Sequence, residues 1–161
     1  MKTDNQKLTN FTKMKLTDKQ LEKVKIANWI NASFIIEVQG NDKEHVKKAL
    51  GEMVSRLKQE RGCELYEENY PEITELKDKL FSYHVELKFL AKDFNVLIHL
   101  ALLYSPSAVE IYEPQKIAIP IGDAQNILMD VANVVTQLAH AIFILTGKLR
   151  KYEPQTEEET S

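Results

Sequence analysis

SYHVELKFLAKDFNVLIHLALLYSPSAVEIYE, residues 82–113, decides the fold, because the chain carries an earlier version of it. SYHVELK (82–88) aligns with SFIIEVQ (33–39), and VEIYE (109–113) aligns with CELYE (63–67). The offset falls from 49 to 46 residues across the middle, so the later copy is three residues shorter there. Each copy reads as strand, helix, strand. In the first, the β-branched and aromatic run 33–39 ends at Gly40, and Val46, Ala49, Leu50, Met53, Val54 and Leu57 recur at helical spacing between an Asn41/Glu44 capping pair and Gly62. In the second, Asp93 caps a helix over 94–104 that is apolar nearly all round, which predicts burial on more than one side, and Pro106 stops it.

Parallel strands joined by a right-handed helical crossover, taken twice about a pseudo-twofold, predict an α+β fold. It is a ferredoxin-like, four-stranded antiparallel sheet built from two βαβ units, 33–67 and 82–113, with both helices on one face. The two first strands then lie side by side at its centre. Outside the repeat, Thr17 and Gln20 form a capping box that opens a helix from Asp18 to about Ile30. The charged connector 72–79 has room for a short helical turn. A long helix follows over 123–149. Residues 16–150 read as one domain, between a loose polar arm at 1–15 and an acidic, disordered tail at 151–161.

The 161 residues are 43% hydrophobic and 28% charged with a mean hydropathy of -0.34, the balance of a folded globular chain. A net charge of -3 lacks the basic excess that phosphate neutralisation needs, which argues against nucleic-acid binding. Cys63 is the single cysteine and has no partner for a disulfide or a thiolate zinc site, so it reads as a structural thiol. No uncharged apolar run approaches the ~20 residues of a membrane span and the N-terminus has no signal-peptide core, so the expectation is a cytoplasmic protein without a membrane role.

Alternation along the strands sorts the sheet residues into two faces. Phe34, Ile36, Val38, Leu65, Tyr83, Val85, Leu87, Phe89, Val109 and Ile111 are expected to meet the helices. The other face then carries Ile35, Gln39, Lys88 and the candidate ligand residues Glu37, Glu64, Tyr66, His84, Glu86, Glu110 and Tyr112. One glutamate from each strand points the same way. Such a row suits a divalent cation, with Glu37, Glu86 and His84 as candidate ligands; the alternative is an ordinary solvated face balanced by Lys88 and the lysines of the first helix. His45 falls on an exposed helix side, and His99 and His140 on apolar helices. No nucleophile elbow, Cys–His arrangement or glycine-rich phosphate loop is present, which makes an enzyme the weaker reading.

In the last helix, Leu128, Val131, Val135, Leu138, Ile142 and Leu145 alternate three and four residues apart, a heptad seam expected to mediate a homo-oligomer or to pack on the chain's own helices.

PSAVEIYEP (106–114), a strand running into a Glu-Pro step and then a helix, resembles the C-terminal extension of WYL-domain transcriptional regulators, and also small archaeal proteins of ferredoxin-like type. The resemblance covers 82 to about 135 and implies assembly and ligand sensing rather than catalysis. The winged-helix and WYL parts have no counterpart, and 115–121 intervenes before the final helix. The expected function is a non-enzymatic regulatory or assembly module that binds a small ligand or a protein partner, with a glutamate-row metal protein, hydrolytic in its sharper form, as the alternative.

Overall fold

A computed structural model describes residues 16–150, so the arm 1–15 and the tail 151–161 lie outside the described residues. The chain divides into two compact units, one through Ile117 and one from Ala118.

The first unit is a mixed α+β structure on a five-stranded antiparallel sheet: β1 (Ile30–Gly40), β2 (Cys63–Asn69), β3 (Thr74–Glu75), β4 (Phe81–Ala91) and β5 (Ala108–Glu113). Its helices are α1 (Asp18–Lys25), α2 (Lys43–Leu57) and α3 (Phe94–Tyr104), with a 3-10 turn at Lys77–Lys79. The strand order is β2-β4-β1-β5, and β3 pairs with β4 beside it. The two copies' first strands are therefore the central pair. Ile36 and Val85, equivalent in the repeat, face one another directly and both are buried, so the pseudo-twofold passes between them.

The outer strands break that symmetry. β2 pairs with the C-terminal half of β4, Cys63 opposite Ala91, whereas β5 pairs with the N-terminal half of β1 and starts opposite Ile35. Helix length explains the difference. At 15 residues α2 rises about 22 Å, and at 11 residues α3 rises only about 16 Å, so α3 returns the chain no farther than the middle of β1. The Ser107 N–H donates to the Ile35 carbonyl at 2.8 Å and fixes that entry point. Among the described residues no strand pairs with 37–40 of β1 on the side away from β4.

The core lies between the sheet and helices α2 and α3. Phe34 and Phe89 meet edge-to-face with centroids 4.8 Å apart, and Leu50, Leu57, Val85, Leu87, Leu97 and Leu100 close around them. Val109 and Ile111 depart from the expected burial, with exposures of 50% and 40%. The short α3 lies over β1 and β4 and leaves β5 largely uncovered. For the same reason α3 is not buried on several sides: Leu97, Leu100 and Tyr104 form one buried stripe, while His99 and Leu103 are exposed.

Several boundaries also move. The capping box on α1 is present in both directions, but the helix stops at Lys25, since Asn28 takes a positive φ of 54° and 30–32 is claimed by pairing with β4. The N-cap of α2 is Asp42 rather than Asn41; its carboxylate accepts from the His45 N–H at 2.7 Å. Gly62 does not cap α2, which ends at Leu57; its φ of 79° turns the chain into β2, and an added Cβ would sit 3.0 Å from Val96 of α3. Asp93 caps α3 as expected, accepting from the Val96 N–H at 2.9 Å.

The second unit contains the helix α4 (Ile121–Arg150). All six seam residues are exposed on it.

Candidate functional site

Register places all four glutamates on the sheet face opposite α2 and α3, but it staggers them. Glu64 lies level with Asn31, Glu110 with Ser33, Glu86 with Ile35, and Glu37 pairs with His84. Each step is two residues, ~6.6 Å along the strand, so the four spread over roughly 20 Å. Among the described residues, no three His, Cys, Asp or Glu side chains are gathered as metal ligands would be.

Two of the four, Glu64 and Glu37, are held by protein groups. Glu64 accepts from Gln20 at 3.0 Å and pairs with Lys23, both on α1, and the Lys23 contact holds its carboxyl below the ordinary range. Helix α1 thereby covers one end of this face, which is why Leu90 and Asn31, on the parity that should be solvated, are fully buried. Glu37 accepts from the Ser82 hydroxyl and from Gln39 at 2.9 Å, and those hydrogen bonds, Ser82 first, lower its pKa. Glu67, displaced by a bulge between Leu65 and Glu67, takes Lys88 at 2.6 Å and raises the ammonium's pKa.

The two tyrosines do come together. Tyr66 on β2 donates to the Asn31 side chain at 2.8 Å, and Tyr112 on β5 donates to the Ser33 hydroxyl at 2.9 Å. These phenols occupy the same place in the repeat and reach inward from opposite edges to neighbouring positions on β1. Burial raises both pKa values, Tyr66 to about 12. The pair acts as a clasp across the sheet, and neither phenol is poised to ionise near neutrality. Asn31 and Ser33 went unnoticed in the sequence, although the shared Leu/Ile-Tyr-Glu triplet of the two copies was the signal that some common polar target lay between them.

Elsewhere, a shallow depression of about 420 Å³ is lined by Arg56, Gln59, Glu60, Leu103 and Tyr104, and the Tyr104 hydroxyl donates to Glu60 at 2.9 Å. Nearby Cys63 is pushed up to about 12 by burial and by Glu60, which disfavours its thiolate at neutral pH.

The strongest unexplained feature is α4. Ile142, Phe143, Ile144 and Leu145 step 100° each and circle the helix, with Phe143 80% exposed. Over Ile121–Leu149 the helix is long and apolar enough to cross a membrane, which corrects the expectation that no segment approached that standard. Its uncharged stretch is only 131–147, between Asp130 and Lys148, and its average hydropathy is high despite those flanking charges.

No curated protein and no solved structure shows significant similarity to the chain. Nothing found ties it to WYL-domain regulators. The MJ0538 family model matches residues 31–121, from the start of β1 into the first residue of α4 and more than half of the chain. The protein therefore belongs to the MJ0538 family.

Proposed function

We propose that the protein is a non-enzymatic assembly module: a ferredoxin-like unit, with its β1-α2-β2 and β4-α3-β5 halves, that self-associates through α4. The observation that carries the reading is the exposed seam of that helix, with Leu138 58% and Ile142 63% exposed. Covering a half-exposed Leu or Ile gains on the order of 1 kcal/mol, so six on each of two copies gain about 12 kcal/mol. That gain matches the upper part of the estimated 4–15 kcal/mol association cost.

A lipid environment would also cover the seam, but the back of the helix favours water. Asn126, Asp130, Asn133, Gln137 and His140 recur four and three residues apart on the opposite stripe, giving a two-faced helix down to its last turns. The four glutamates are staggered, and Glu37 and Glu64 are held by protein groups, which lends no support to a metal-dependent hydrolase.

Light scattering on full-length protein in detergent-free buffer tests the reading. The wild type is expected as an oligomer at micromolar concentration, and Leu138→Glu as a monomer with unchanged sheet signal in circular dichroism. A monomeric wild type, or one recovered only in detergent, would overturn it.

A further inference from the structure

We propose that the copies associate through α4 in parallel and in register, a refinement that rests on the self-association reading above. The core positions carry the orientation. With Leu128 as position a, the second and third heptads of the seam place β-branched Val135 and Ile142 at a and Leu138 and Leu145 at d, and the first carries Leu128 at a and Val131 at d. This division is the one that packs best in parallel two-stranded coils, where like layers stack on like; an antiparallel pair would mix a with d in every layer.

The flanking positions agree with close approach. Position e holds Ala132 and Ala139, small enough for the backbones to come together, and position g holds Ile127 and Val134, which widen the apolar stripe. Between Ile127 and Leu145 positions e and g carry no charge, so nothing repels a parallel partner there. The occupant is a second copy on grounds of area as well. Six exposed seam side chains at roughly 100 Å² each offer about 600 Å² per copy. That reaches the lower end of stable interfaces, ~600 Å² per partner.

Disulfide trapping decides the orientation. Leu128→Cys in the full chain is expected to cross-link to itself on mild oxidation, giving a covalent dimer on non-reducing gels, while the wild type, whose single Cys63 is half-buried on β2, gives none. Mixing differently tagged Leu128→Cys and Leu145→Cys proteins is expected to give no 128–145 cross-link, the pair that an antiparallel a-to-d arrangement would juxtapose. A dominant 128–145 product, or an oligomer in light scattering that fails to trap at 128, overturns the orientation and leaves self-association standing. A monomer in light scattering removes both.

Discussion

Glu64 shows how a residue chosen for one role can hold another. It was a candidate ligand; in the structure it anchors α1 to the sheet through Lys23 and Gln20, and the Lys23 ammonium lies 4.7 Å over the Trp29 ring. A carboxyl whose folded pKa is lowered stabilises above its ordinary value of 4.5 and loses that contribution as pH falls through the folded value. The only tryptophan should therefore change its emission as the solution is acidified below pH 4.5. Glu64→Gln should show the changed emission already at neutral pH and a flatter titration; an unaltered profile in that variant would disprove the link. The pair is partly solvated, so the effect is local loosening rather than global unfolding.

Among the elements, α3 is the one whose limits were fully readable, since Asp93, the apolar run and Pro106 all mark them. Asp93→Ala removes the acceptor for the Val96 N–H and should lower stability by about 1 kcal/mol in urea denaturation. Other boundaries were less legible for identifiable reasons. Periodicity carried α1 to Ile30 because it takes no account of strand pairing, which claims Ile30 opposite Ala91. The two-residue strand β3 is too short to show any alternation. Pattern alone also could not reveal that α3, though apolar all round, has too little beneath it to bury more than one stripe.

For the whole molecule, the repeat correctly implied the central β1–β4 pair and the sorting of side chains between faces. The candidate site was only half legible. Which face each glutamate takes follows from alternation, but their height along the sheet depends on where each outer strand enters, and the bulge between Leu65 and Glu67 brings an unforeseen glutamate to Lys88. The seam of α4 was readable because a heptad is a property of the sequence itself; its exposure is a property of the structure.

The early entry of β5 has a consequence for solubility. Residues 37–40 of β1 present backbone donors and acceptors along a border that another polypeptide can extend, the usual starting point for sheet-to-sheet aggregation. A charge there is a deterrent, and Glu37, exposed and kept ionised by Ser82 and Gln39, occupies that border. Glu37→Val should leave the fold intact yet raise turbidity and thioflavin binding on prolonged incubation, whereas Glu86→Val, at a point of β4 paired on both sides with Ile35 and Asn69, should not reproduce the effect. The shortness of one helix thus obliges the neighbouring strand to guard itself with an acid.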